Sequence, residues 1–210
     1  MARTLDIRKT LISPQPPNQE AVRTRILDQA AHLFLTIGYA ETTVRRIAGA
    51  VGIKAASLYH HFGSNDEVFE SILIRGIEVM VESFDIAKST SKSLDAKEQL
   101  RLHIRAHLGA LFEHGPYTAV HVSSFHFAPP IVKEQIVPIR DGYEALWTSL
   151  LNELNTKDQM SVPTSVALHR LILFGAMNSS IEWFDPNGDY SLDSLANAIT
   201  DQFWEGVSSK

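Results

Sequence analysis

Apolar residues along this chain recur every three to four positions and show no strand-like alternation of any length, which is the periodicity of helices. From Glu20 onward, Val22, Ile26, Ala30, Leu33 and Ile37 fall on one face, with Leu27 and Phe34 beside them. Gly38 ends the pattern, so the spacing predicts a helix over about 20–37. Two short helical patterns follow on either side of Gly52-Ile53. Thr43 caps the first, Ile47, Ala48 and Val51 form its buried side, and Gly52 takes the tight turn. The second runs from Lys54 to Phe62 and is expected to end at Gly63. Ser64 and Glu67 then form a capping box, which opens a long helix through Val68, Ile72, Ile74, Ile77 and Val81 to about Lys88.

Farther along, Leu100, Ile104, Leu108 and Leu111 mark a fifth helix over about 94–113, with His103, His107 and His114 along or beside that face. A sixth spans about 117–127 and stops before Pro129-Pro130. A seventh carries Ile136, Arg140, Tyr143 and Trp147 within one side. Residues 161–184 are apolar or small almost all round, so this helix is expected to be buried on more than one side. One side carries Val166, Leu173, Met177, Ile181 and Phe184. The other, with Leu168, Ile172, Gly175, Ser179 and Trp183, is flat enough for another helix to approach closely. The final helix sets Leu192, Leu195, Ile199 and Phe203 on one stripe. Together these last two helices are expected to make a four-helix interface about a two-fold axis, the alternative being a core within one chain.

The architecture is thus all-α in three parts: a basic arm over 1–19, closed by the proline-rich SPQPPNQ; a compact helical segment over 20–66; and a larger helical body over 67–210. The 210 residues include no cysteine, which excludes disulfides, iron–sulfur clusters and thiolate zinc sites. No apolar run has the length of a signal peptide core or a membrane helix, so a cytoplasmic location is expected. The net charge of −5 disfavours a nucleic-acid partner until it is divided: residues 1–65 hold eight Lys and Arg against four Asp and Glu, a net +4, leaving −9 for the rest. A phosphate-binding module on an acidic body has that asymmetry.

Chemistry concentrates at two places. In TTVRRIAGAVGIKAASLYHHF, two short helices joined by so tight a turn must cross steeply, and Ala48 and Gly52 supply the small residues that the crossing needs. That is a helix-turn-helix pattern. Leu58 and Phe62 fall inward by spacing. Lys54, Ser57, Tyr59 and His60 face out and offer hydrogen-bond donors, an aromatic edge and a positive charge suited to base edges and phosphates in a major groove.

From Ala21 to Ile74 the chain resembles the DNA-binding domain of TetR-family transcriptional regulators, and LYHHF after the helix-turn-helix is the most specific part of the likeness. The resemblance implies phosphate contacts near Thr43 and Arg45, and base or phosphate contacts at Lys54, Ala55, Ala56, Ser57, Tyr59 and His60. Asn65 stands where many relatives carry a lysine, so no contact is carried over to it. The resemblance further implies a homodimer that releases its double-stranded operator when a small molecule enters the C-terminal domain. NSSIEWFDPNGDYSLDSLA is similar to the C-terminal domains of a subset that includes regulators responding to fatty acyl or steroid-derived acyl-coenzyme A esters.

The second place is the body, where six of the nine histidines lie between His103 and His169. Three explanations stay open: core-edge histidines bonded to neighbours, polar anchors in a ligand cavity, or a metal site. His103 and His107 have the spacing of a helical metal pair, but Ile104 occupies the glutamate position of the zinc-protease motif. Asp185, Asn187 and Asp189 imitate a calcium loop, and Tyr190 stands where it needs glycine. No metal, cofactor or catalytic residue is assigned. The candidate effector pocket comprises His103, His107, Phe112, His121, Phe125, Arg140, Tyr143, Trp147 and Phe174. The candidate dimer contacts are Leu168, Ile172, Gly175, Ser179, Trp183, Leu195, Ile199 and Phe203. Rival readings are an acyl-thioester-acting enzyme and a small-ligand or protein-interaction module without specific DNA binding.

Overall fold

The computed structural model describes residues 19–157 and 165–207. Among them every regular element is helical: α1 (Gln19–Ile37), α2 (Val44–Val51), α3 (Ala55–Leu58), α4 (Asn65–Ser91), α5 (Ala96–Phe112), α6 (Tyr117–Ser124), α7 (Pro130–Lys157), α8 (Val166–Ser179) and α9 (Leu192–Val207). Short 3₁₀ turns at Phe125–Phe127 and Ser180–Glu182 prolong α6 and α8. The basic arm with Arg3, Arg8 and Lys9, and the start of the helix expected from 161, lie outside the described residues.

Local chemistry sets the boundaries at the N-terminal end. Gly38 stops α1 at φ +81° and returns its N–H to the Phe34 carbonyl at 3.2 Å. The Thr43 hydroxyl accepts the Arg46 N–H at the start of α2. Gly52 turns the chain at φ +79°, and the Ile53 N–H closes on the Ala48 carbonyl at 2.9 Å. The Ser64 hydroxyl accepts the Glu67 N–H at 3.1 Å, while the Glu67 carboxylate accepts from Gly63 N–H at 2.7 Å. The capping box therefore reaches one residue further back than the expected partner, Ser64. One expectation fails: α3 is a single turn ending at Leu58, not a helix running to Gly63. His61 and Phe62 both bond the Leu58 carbonyl, so the chain leaves α3 as a series of turns.

Ile26, Ala30 and Phe34 of α1 meet Ile47, Ala48 and Val51 of α2, with Leu58 and Phe62 closing the small core as their spacing requires. The core continues without a break along α4, where Phe69 stacks edge-on to Phe34 at 4.9 Å. This long helix is the spine against which α5, α6 and α7 pack. The crossing with α6 is close because Gly76 has no side chain; a Cβ there would lie 2.7 Å from the Tyr117 carbonyl oxygen. Thr118 adds a hydrogen bond to the Gly76 carbonyl at 3.1 Å. Opposite Gly76, the Tyr117 hydroxyl donates to Asp28 of α1. So α6 touches the N-terminal segment directly, alongside the connection through α4. No described helix is long and apolar enough to cross a membrane.

Candidate nucleic-acid interface and ligand cavity

The outer side of the N-terminal segment carries Thr43, Arg45, Lys54, Ala56, Tyr59 and His60, all exposed, with Ala55 and Ser57 partly exposed. Tyr59 keeps 55% of its surface free although it is aromatic. Thr43, Arg45 and Tyr59 share the rim of an open concavity with Asn65, whose amide donates to the Thr42 carbonyl at 3.0 Å. The lone turn of α3 presents Lys54 to Ser57 beyond it. Two arginines counted in the positive balance of this segment have internal work instead. Arg23 lies 3.9 Å over the Phe62 ring and donates to the His61 carbonyl at 2.8 Å, and Arg25 donates to the Val51 carbonyl at 2.9 Å. They fasten α1 to the turns that follow α3 and to the end of α2, and so hold the outward face in register. Arg45, Arg46 and Lys54 are left as its solvent-facing cations, Arg46 with Glu41 at 3.8 Å.

In the body, a cavity of about 300 Å³ opens between α4, α5, α6, α7 and α8. His107, His121, Phe125, Arg140, Tyr143 and Phe174, six of the nine candidate pocket residues, line it together. Asn178 receives a hydrogen bond from His107 Nε2 at 2.9 Å; because an amide oxygen only accepts, that nitrogen carries the proton and Nδ1 accepts from the Tyr143 hydroxyl at 2.8 Å. Burial pushes His107 down to about 4, against the pull of its Asn178 bond. His121 also falls to about 4, chiefly through burial and then through the Arg140 charge. Burial likewise raises the Tyr143 hydroxyl. His107 and His121 are therefore neutral at physiological pH, and the charged pair at the cavity is Arg140, which lies 4.9 Å over the Phe125 ring, with Glu144 at 3.4 Å. Glu144 is held from its other side by Arg170 at 2.7 Å. Such a site offers apolar walls, neutral hydrogen-bonding groups and a guanidinium–carboxylate pair.

The other three candidates lie elsewhere. His103 lines a second cavity, Trp147 is fully buried between the two, and Phe112 packs on Phe184 with ring centroids 5.3 Å apart. Of the candidate dimer contacts, Leu168, Ile172, Gly175, Ser179 and Trp183 form an exposed apolar stripe on α8 and its extension, Ile172 at 58% and Trp183 at 62%. Leu195 is turned into the protomer's own core against α5, so it is not available to a second subunit; Ile199 and Phe203 are half-buried beside it.

Residues 26–72 match the family described as bacterial regulatory proteins, tetR family, and residues 93–207 match the Tetracyclin repressor-like C-terminal domain. The chain belongs to the TetR family. Among its relatives is the HTH-type transcriptional repressor KstR2 of Rhodococcus jostii, 26% identical over 191 residues that cover 89% of this chain and 91% of that protein. The solved structure of the TetR-family regulator PfmR from Thermus thermophilus shares 29% identity with a TM-score of 0.73, covering 88% of this chain and all of that one. AibR, solved in complex with isovaleryl coenzyme A and operator DNA, shares the fold at a TM-score of 0.76 and 18% identity, over 86% of this chain and 97% of its own. As a TetR-family member the chain is a DNA-binding transcriptional regulator and not an enzyme.

Within this TetR frame the cavity brings in residues that sequence reasoning passed over. Asn178 and Glu144 are two of them, with Met80 and Leu171 on the apolar side. A signal for Asn178 was present, since it is a polar residue near the end of an otherwise apolar helix, but its partner His107 lies 71 positions away. Glu144 follows Arg140 by one helical turn, a spacing that could have flagged the pair.

Proposed function

We propose that this regulator is a cytoplasmic homodimeric repressor whose hold on its operator is weakened by a small apolar or acyl-coenzyme A-like effector in the α4–α8 cavity. The observation that carries the effector part is the double attachment of α6. His121 and Phe125 line the cavity, while Tyr117, one turn before His121, grips Asp28 of α1. An effector that displaces His121 or Phe125 shifts α6 against the close Gly76 crossing and so moves α1, to which the DNA-reading turn is fastened through Arg23 and Arg25. Two reading elements of a dimer fit one duplex face only when separated by about 34–36 Å, so a small change of angle suffices. A coupling of about 1–3 kcal/mol, or 5- to 150-fold in affinity, is enough to regulate.

The chemistry of the cavity supports an acyl group better than a polar metabolite. Its volume of about 300 Å³ is at the small end of ligand sites and its enclosure is largely apolar. A coenzyme moiety then lies outside, toward the Arg140 edge. The AibR complex with isovaleryl coenzyme A supports the acyl reading, and the repressor KstR2 supports repression. For DNA, we assign Thr43 and Arg45 to phosphates and Lys54, Ala55, Ala56, Ser57, Tyr59 and His60 to bases or phosphates. For assembly, we assign the exposed α8 stripe to the two-fold contact, because apolar side chains of that size are seldom left together in water.

Fluorescence anisotropy against duplex from the protein's own upstream region, at several salt concentrations, tests the reading. Sequence-preferring binding that isovaleryl-coenzyme A weakens at least fivefold, and that free coenzyme A and isovalerate leave alone, is the expected result. No sequence preference at any salt would remove the DNA assignment, and preference without any acyl response would remove the effector. Ile172→Asp should convert a sedimenting dimer to a monomer.

A further inference from the structure

The second cavity, of about 260 Å³, lies between α4, α5 and α7 and is more enclosed than the first. Phe84, Leu146 and Leu150 give it apolar walls, Ser91, Gln99 and Glu153 add polar groups, and the exposed Lys88 and Lys92 complete the lining. His103 lines it while keeping only 1% of its surface free. Its Nδ1 sits 2.7 Å from the Gln99 carbonyl, an obligate acceptor, so Nδ1 bears the proton and Nε2 is a bare acceptor. That Nε2 is buried without a hydrogen-bond partner among the described residues.

An aromatic cluster centred on Trp147 joins the linings of this chamber and the first. Trp147 packs on Phe84 and His103 on one side, at 5.7 and 6.2 Å, and on Phe174 and His107 on the other, at 5.6 and 6.1 Å. Phe84 and His103 line the distal cavity, and Phe174 and His107 line the proximal one. The indole N–H is buried too and falls outside hydrogen-bonding geometry, although the Tyr143 hydroxyl is near enough to feel it. On the proximal side His121 Nδ1 is likewise buried without a hydrogen-bond partner among the described residues. Buried polar atoms in folded proteins are nearly always paired, and each exception needs an explanation. Here three of them belong to His121 at the proximal cavity, Trp147 in the aromatic cluster and His103 at the distal cavity.

We infer that the two cavities are halves of one ligand channel closed by Trp147, and that the distal half receives the hydroxylated end of a long acyl chain. Each cavity alone is at or below the lower bound of about 300 Å³ usual for small-molecule sites, and joined they fall within that range. A hydroxyl is the group that fits, because its O–H supplies the donor His103 Nε2 lacks. Burial keeps the His103 ring neutral, so the acceptor is available at physiological pH. A chain crossing the cluster turns the indole aside and gives its N–H an oxygen from the ligand or from Tyr143. This inference rests on the acyl-effector reading and extends it to the length and terminal group of the effector.

Three probes test it on the full-length protein: butyryl-coenzyme A, dodecanoyl-coenzyme A and 12-hydroxydodecanoyl-coenzyme A. The indole ¹H–¹⁵N signal of Trp147, assigned by its loss in Trp147→Phe, should move with the hydroxylated long chain and stay in place with butyryl-coenzyme A. The hydroxylated chain should bind about fivefold tighter than the plain one, the worth of one net hydrogen bond, and His103→Leu should erase that margin. If His103→Leu does not fold, the wild-type signal and the wild-type affinity ratio decide. Butyryl-coenzyme A binding with an unmoved indole signal for both long chains would overturn the channel and leave the acyl-effector reading intact. Equal affinity for the two long chains would overturn the role of His103. Failure of all three probes to bind would overturn the effector reading, and the channel with it.

Discussion

The two ends of this molecule handle polar side chains in opposite ways. The N-terminal segment encloses a small, almost wholly apolar core and ties its inner arginines, Arg23 and Arg25, to backbone carbonyls, so that Lys54, Arg45, Tyr59 and His60 remain in water. The body draws His103, His107, His121, Tyr143 and Trp147 inside, each at most 5% exposed. A surface that meets DNA gains from charge that is already solvated and free to exchange counterions for phosphate. A site that recognises a small apolar molecule gains from the reverse, since a hydrogen bond made where water is excluded discriminates more strongly. One end presents its polar groups to solvent, and the other encloses them.

The largest expected contrast is in pH response. His107 and His121 are held near 4 by burial, below the ordinary value of about 6.5 that they regain on unfolding. The unfolded chain therefore binds more protons between those limits, and stability that is complete above pH 6.5 is lost as the pH falls toward 4. The loss is about 2 kcal/mol per histidine by pH 5. Urea melts at pH 7 and pH 5 measure it, and equal midpoints would show that water reaches both rings.

Next in size is Gly76→Ala, where the added methyl meets the Tyr117 backbone and costs about 1–3 kcal/mol. It also pries α6 from α4, so operator binding should lose its effector response beyond what stability explains; a melt and an anisotropy titration on the same sample separate the two. Lys54→Ala leaves the melt alone and weakens operator binding, lowering the slope of log affinity against log salt by about one. An unchanged slope would place Lys54 away from phosphate. The smallest effect belongs to Ser64→Ala, which removes the cap on α4 at a cost of about 1 kcal/mol, read as a shift of the urea midpoint.

Legibility followed the range of the interactions. Gly38, Gly52, Thr43 and Ser64 act on atoms within a few positions, and the boundaries they set were readable in order along the chain. The short length of α3 was not readable. Its LYHHF run keeps helical composition, but the Arg23 bond to the His61 carbonyl comes from 38 positions away and pins the segment as a turn. The pocket was half-readable for a related reason. Helical face predicted that His107, Tyr143 and Phe174 point inward, and they do stack with one another. Phe112 has the same character and packs instead on Phe184, a choice made by the 3₁₀ turn after α8.

By itself, the amino-acid order determined the helical class, the positions of the caps and the outward set around Lys54 and Tyr59, because periodicity and capping are settled within one or two turns of chain. Only the tertiary structure decided that α9 buries Leu195, that Arg23 and Arg25 serve the fold, and that Trp147 packs on both His103 and His107. Those outcomes depend on which helix lies across which, and a stripe of apolar residues is equally content against any partner of matching shape.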